Sequence, residues 1–134
     1  MNSVSERLLL YKELDGIEDE NKLQQFEDKL RDRFGPLPQP AIELLSTIRL
    51  RWLAEKLGFE KIILKNQRMV GYFVSNPTSH FYSSEVFQKV LKFVQGNPSR
   101  CKMKEDGTKL SLTIQRIKTV DDANSILKEM LGEN

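Results

Sequence analysis

The sequence has little of what most catalytic and metal sites are built from. It contains a single cysteine, Cys101, and a single histidine, His80. A lone cysteine cannot form an intramolecular disulfide and is typical of a reducing compartment. A zinc site would need several clustered ligands of these types. The sequence therefore excludes a disulfide framework and indicates no metal.

Long apolar runs and glycine-rich loops are also missing. No stretch approaches the roughly 20 consecutive apolar residues that a transmembrane helix needs. The first six residues lack the basic segment followed by an apolar one that marks a signal peptide. The seven glycines are scattered, and none stands in a phosphate-loop or dinucleotide-binding spacing. We therefore expect a cytoplasmic protein with no cofactor and no membrane contact.

What the sequence does contain is typical of one globular domain. Its 134 residues are 39% hydrophobic and 30% charged, which is enough to bury a core. The formal net charge of +2 gives no strong field that would attract nucleic acid or an anionic membrane. Residues 1–35 carry nine acidic and six basic side chains, whereas residues 36–134 carry fifteen basic and ten acidic ones. The N-terminal part is therefore mildly acidic and the remainder mildly basic.

Helical spacing of apolar residues predicts three helices in the first part of the chain. The first covers residues 4–14, the second begins at the capping residue Asp19 and ends at Gly35, and the third runs from Pro40 to Gly58. The apolar stripes are Val4, Leu8, Tyr11 and Leu14 in the first helix, Leu23, Phe26, Leu30 and Phe34 in the second, and Ile42, Leu45, Ile48, Trp52, Leu53 and Leu57 in the third.

The second part of the chain reads as two β-hairpins, each followed by a helix. Residues 61–65 and 69–74 alternate around Asn66-Gln67-Arg68, and residues 100–104 and 109–117 flank Asp106-Gly107, the stronger turn signal. A loop covers residues 75–84 and a helix residues 84–95. A capping-box pattern at Thr119 opens the last helix.

This order of elements predicts an α+β fold. We expect N-terminal helices, over about residues 1–58, and an antiparallel sheet formed by the two β-hairpins over about residues 59–134, with helices packed on one face. The whole chain is expected to be a single domain.

Two groups of residues are candidates for catalytic chemistry. Cys101 and His80 could in principle act as nucleophile and base, but strand alternation turns Cys101 toward the core. Paired carboxylates such as Asp121-Asp122 lie at helix surfaces and caps rather than in a cleft. The sequence therefore favours a domain that is not an enzyme.

A basic strand face is the best candidate for binding nucleic acid. Arg100, Lys102 and Lys104 alternate on one side of the second hairpin, with Lys109 on the next strand. No aromatic residue interleaves with them to stack bases, and edge strands also carry lysine to prevent aggregation. A small nucleic-acid-binding module that uses this hairpin is the alternative function.

Two stretches in the first part resemble a known family. Residues 7–14 read RLLLYKEL, and residues 30–38 read LRDRFGPLP, followed by Leu50-Arg51, Ala54 and Leu57-Gly58. In this order and spacing they resemble the C-terminal (TRCF) domain of bacterial transcription-repair coupling factors (Mfd). The resemblance covers about residues 4–74.

The resemblance implies a regulatory role within a larger protein. In that family the domain follows an ATP-dependent DNA translocase motor that acts on stalled RNA polymerase and double-stranded DNA. The domain packs on a UvrB-like N-terminal module of the same protein, masks the surface that recruits UvrA, and restrains the motor until polymerase is engaged. It is not itself the motor.

The resemblance also places the docking surface on the second helix. Asp32 and Arg33 match the family motif, in which acidic residues of this helix meet a basic surface. One turn earlier the family usually has glutamate where this sequence has Lys29. Glu27 and Asp28 are the acidic neighbours that could compensate.

Overall fold

The computed structural model describes residues 4–76 and 78–133, with side chains from residue 8 onward. Helices α1 (Val4–Asp15), α2 (Glu20–Phe34) and α3 (Gln39–Lys56) come first. They are followed by β1 (Phe59–Lys65), β2 (Arg68–Phe73), a 3-10 helix (His80–Ser83), α4 (Glu85–Gly96), β3 (Cys101–Asp106), β4 (Lys109–Gln115) and α5 (Val120–Leu131). The chain forms two compact units, residues 1–45 and 46–134, which divide within α3.

The first unit is helical, and α2 has the predicted ends. The Asp19 carboxylate accepts a hydrogen bond from the Lys22 amide at 2.8 Å, which satisfies one free donor of the first turn. Gly35 ends the helix with φ +79°, and its amide donates to the Arg31 carbonyl at 2.8 Å. The buried residues of α2 are Leu23, Phe26 and Leu30, three of the four predicted, and Phe34 is half-buried.

The predicted apolar face of α1 is correct at Leu14 but wrong at Leu8 and Tyr11. Leu8 is 62% exposed and Tyr11 52% exposed, while Leu10 and Leu14 are buried. Three consecutive leucines, residues 8–10, fit more than one helical stripe, so spacing alone could not select the buried one. The side chain of Val4 lies outside the described residues.

The second unit contains a four-stranded antiparallel sheet in the order β1-β2-β4-β3. The two hairpins join through β2 and β4, with Arg68 opposite Gln115 and Tyr72 opposite Ser111. One face of the sheet is covered by helices, and its core includes Met69, Phe73 and Leu112 together with residues of α3, α4 and α5. The predicted α+β class, with helices on one face, is confirmed.

The turns differ from the sequence prediction in detail. Asn66 and Gln67 form the two-residue turn of the first hairpin, both with positive φ (54° and 59°), and Arg68 already belongs to β2. In the second hairpin Asp106 pairs with Lys109, so the loop is Gly107-Thr108, with φ +64° at Gly107. Strand β1 begins two residues earlier than predicted, at Phe59, because a β-bulge follows that residue.

Aromatic side chains fill the end of the core near the 3-10 helix, which lies in the segment predicted as a loop. The rings of Phe59 and Phe73 stand 4.5 Å apart, and those of Phe81 and Phe87 stand 5.4 Å apart. Gly71 leaves room for the Phe59 ring, since a Cβ at residue 71 would lie 2.4 Å from its Cε1 atom. The capping box of α5 is confirmed, with Thr119 and Asp122 exchanging hydrogen bonds of 3.0 and 3.1 Å.

Candidate interaction surfaces

Helix α2 exposes two carboxylates one turn apart, Asp28 and Asp32, which we call the acidic pair. Asp28 accepts a hydrogen bond from the side-chain amide of Gln24 at 3.2 Å. Among the residues that the structure describes, Asp32 makes no hydrogen bond and no ion pair. The acidic pair therefore presents two negative charges that no ion pair within the helix neutralises.

Glu27 is placed differently from its neighbours in the motif. Its carboxylate lies 2.9 Å from the Arg31 guanidinium, one turn along the helix, and its side chain is only 12% exposed. Gln24 also approaches the same carboxylate, at 3.5 Å. Glu27 is therefore engaged within α2 and offers a partner little free charge.

The two basic residues of the predicted docking set also have contacts inside the first unit. Lys29 forms an ion pair of 3.0 Å with Glu13 of α1, with both side chains well exposed. The Arg33 guanidinium lies over the ring of Phe34, 5.2 Å from its centroid. Of the five predicted docking residues, only Asp28 and Asp32 form an exposed acidic surface without a cationic partner among residues 8–76 and 78–133.

The basic strand face is only partly as predicted. Lys102 and Lys104 are exposed on β3, on the side away from the helices. Arg100 is half-buried, and its guanidinium donates to the backbone carbonyls of Gln115 and Arg116 at 2.9 and 3.2 Å. Arg100 therefore closes the end of the β3–β4 pair, while the two lysines point into the open.

The sheet brings residues of the first hairpin onto the same side, which the sequence analysis missed. Cross-strand pairing places Tyr72 of β2 between Lys61 of β1 and Ser111 of β4, and Lys104 lies opposite Ser111. The period-two alternation of β1 and β2 was a signal for these positions. What could not be read from sequence was that β2 lies beside β4.

Cys101 does not have the surroundings of a catalytic thiol. It is 3% exposed in the core, and burial raises its pKa above the ordinary value of 9.0, with Arg100 acting in the opposite direction. A nucleophilic cysteine needs a lowered pKa and access to substrate. His80 is exposed in the 3-10 helix.

Two features are absent from the described part of the chain. Residues 4–76 and 78–133 contain no group of three or more histidine, cysteine, aspartate or glutamate side chains that could hold a metal ion. No helix within them is long and apolar enough to cross a membrane.

Several known proteins are similar to this chain in sequence. Over 130 residues, 94% of the chain and 11% of the relative, it is 28% identical to the transcription-repair-coupling factor of Rickettsia bellii. Over 59 residues, 44% of the chain and 5% of the relative, it is 46% identical to the factor of Escherichia coli. The matched residues thus span about a tenth of the length of the first relative and a smaller share of the second.

The fold and a family model agree with these relatives. A crystal structure of the C-terminal domain of transcription-repair coupling factor superposes with a TM-score of 0.76 at 16% identity, over 98% of this chain and 81% of that one. The family model of the TRCF domain matches residues 1–84, which include α1, α2, α3 and the first hairpin. On this evidence, the chain belongs to the TRCF domain family.

Proposed function

We propose that this chain is a non-catalytic regulatory domain of a transcription-repair coupling factor. In this proposal it docks on the UvrB-like N-terminal module of its own protein and masks the surface that recruits UvrA. It also restrains the DNA translocase motor until stalled RNA polymerase is engaged. The observation that carries the proposal is the acidic pair on α2, of which Asp32 belongs to the family motif; neither carboxylate has a cationic partner within the described residues.

The physical demands of such a contact agree with this surface. A masking contact must release, so it should rest on several modest interactions. Exposed ion pairs contribute about 0–1 kcal/mol each. A 100-fold masking effect corresponds to about 2.7 kcal/mol, which a few pairs and an apolar contact supply. The first unit offers such apolar contacts, because Leu8, Leu9 and Tyr11 are exposed on α1.

A charge reversal at Asp32 tests the docking surface. In the full-length protein without polymerase, Asp32→Arg should raise recruitment of UvrA in a pull-down by roughly tenfold, because reversal removes an attraction and adds a repulsion. Glu129→Arg is the matched control, since Glu129 is an exposed acidic residue on α5. Recruitment of UvrA that Asp32→Arg leaves unchanged would contradict the assignment of this surface.

The position occupied by Lys29 allows the opposite change in the same assay. Lys29→Glu replaces the lysine with the acid that the family motif favours, so docking should tighten and the recruitment of UvrA should fall below that of the natural sequence. The change also breaks the ion pair with Glu13, which is exposed and contributes little to stability.

ATP hydrolysis by the isolated 134-residue chain would contradict the non-catalytic part of the proposal.

A further inference from the structure

The side of the sheet that no helix covers, which we call the open sheet face, has an ordered arrangement of side chains. Strand pairing aligns them in three rows across the sheet. The first row holds Lys61, Tyr72, Ser111 and Lys104; the second holds Ile63, Val70, Thr113 and Lys102; the third holds Lys65, Arg68 and Gln115.

The charge of the open sheet face is strongly of one sign. Its basic side chains are Lys61, Lys65, Arg68, Lys102, Lys104 and Lys109. Its acidic residues are Asp106, opposite Lys109 at the end of the second hairpin, and Glu60, at the β-bulge of β1. Within residues 8–76 and 78–133, none of the six basic side chains forms an ion pair or a side-chain hydrogen bond. A chain with a net charge of only +2 therefore concentrates cations on one surface.

Protection of sheet edges does not account for this arrangement. Lysine on the edge strands β1 and β3 would serve that purpose. Arg68, however, lies on the inner strand β2, directly opposite Lys65, where two like charges destabilise the pairing. An anion bound between them would turn this repulsion into an attraction.

Tyr72 supplies the aromatic group that the second hairpin lacks. It lies on the inner strand β2 and is half-buried, with its side chain on the uncovered side of the sheet. Tyr72, Lys61 and Lys109 line one shallow depression there. Glu60 also lines it, and its carboxylate accepts a hydrogen bond from the Ser75 amide at 3.2 Å.

We propose that the open sheet face binds single-stranded nucleic acid. The lysines of β1 and β3 contact phosphates on either side, and the Tyr72 ring stacks on an unpaired base. Some RNA-binding domains use aromatic residues on a four-stranded sheet in this way. Such stacking tolerates any sequence, because every base has a π-face. The bases of a duplex are stacked on one another, so they are not free to stack on the Tyr72 ring. An acidic protein surface would contact the lysines but would leave the ring without a base to stack on. This proposal is independent of docking through α2.

The binding can be measured directly on the 134-residue chain. A fluorescein-labelled oligothymidylate of about 15 nucleotides is titrated by fluorescence anisotropy, and a duplex of equal length and polyglutamate serve as competitors. We expect the single strand to bind more tightly than either competitor. Affinity should fall steeply between about 50 and 200 mM salt, because phosphate contacts release counterions.

Two sets of variants separate the surface from simple net charge. Lys102→Gln with Lys104→Gln should weaken binding roughly tenfold and reduce the salt slope by about one or more. Lys92→Gln with Lys128→Gln removes the same charge from exposed positions of α4 and α5, which pack on the other side of the sheet, and should change binding less than twofold. Tyr72→Val should weaken binding about fivefold or more, whereas Tyr72→Phe keeps the stacking ring and should bind normally.

Three results would overturn the proposal. One is equal weakening by the two double variants, which would mean attraction by net charge alone. Another is a Tyr72→Val protein that binds as tightly as the natural one. The third is duplex or polyglutamate that competes as well as the single strand, which would assign the surface to a generic polyanion or an acidic protein. Thermal unfolding followed by circular dichroism confirms that each variant is folded before it is scored.

Discussion

Cys101 shows how the environment of one side chain sets its chemistry. The thiol is buried at the start of β3, and burial raises its pKa above 9.0. We expect the native protein to react very slowly with Ellman's reagent, and to react at once in denaturant, because only exposed thiolate attacks the reagent. Fast reaction of the native protein would contradict the buried position.

The same pKa shift has a consequence for stability at alkaline pH. Above pH 9.0 the unfolded chain releases the Cys101 proton more readily than the folded chain, so the free energy of unfolding falls as the pH rises. Urea unfolding at successive pH values should show this fall, and Cys101→Ala should lose less stability over the same range. A remaining fall is expected from Tyr82, whose pKa burial raises above 10.0, with the charge of Glu60 acting in the same direction.

At the residue scale, the sequence could identify candidates but not their partners. Asp28 and Asp32 could be placed on one side of α2, because residues four apart share a helix face. The ion pair of Lys29 could not be anticipated, since Glu13 lies sixteen positions away on another helix. Arg100 could be placed near the basic strand face, but its hydrogen bonds to Gln115 and Arg116 depend on where β4 ends.

At the scale of the strands, the close approach of Phe59 to Gly71 makes a sharp test. Gly71→Ala would place a Cβ within 2.4 Å of the buried Phe59 ring, which the core cannot accommodate without shifting. We expect a loss of about 1–3 kcal/mol in the free energy of unfolding, measured by urea titration.

A second glycine provides the control for this substitution. Gly96, at the end of α4, has open space around the position of a Cβ and no positive φ. Gly96→Ala should therefore be neutral or should stabilise the protein by up to about 1 kcal/mol. Equal effects of the two alanine substitutions would mean that the Phe59 contact is not what requires glycine at residue 71.

Elements were predictable where a local signal fixed them. Alternation and turn residues were enough for both hairpins, and Thr119 with Asp122 was enough for the start of α5. The pairing of β2 with β4 depends on contacts far apart in sequence, so no local pattern indicated it. The open sheet face could not be predicted for that reason, since Tyr72 and Lys104 share a row only through this pairing.

At the scale of the whole molecule, the two compact units should differ in local stability. Residues 46–134 contain the entire sheet and its core, while residues 1–45 contain α1, α2 and the beginning of α3. Hydrogen exchange followed by mass spectrometry should show the inner strands β2 and β4 exchanging at least roughly a hundredfold more slowly than α1.

The exchange rates of α1 and of the inner strands decide whether the two units unfold separately or together. Slow exchange in β2 and β4 with fast exchange in α1 means that the first unit opens without unfolding the sheet. Equal protection of α1 and the inner strands would mean that all 134 residues unfold together, and the division at residue 45 would then have no energetic counterpart.

The turn between β1 and β2 has a consequence for how this sequence can change over evolutionary time. Asn66 and Gln67 both adopt a left-handed backbone, which costs an L-residue such as glutamine about 1–2 kcal/mol and glycine almost nothing. The Gln67 carbonyl also accepts a hydrogen bond from the Ile117 amide at 2.9 Å, so the turn helps to place the segment that enters α5. Selection keeps proteins above a stability threshold rather than at a maximum. Replacing Gln67 with glycine should therefore relieve this cost and raise the free energy of unfolding, a gain open to this sequence by one substitution that leaves Asp28, Asp32 and Tyr72 unchanged.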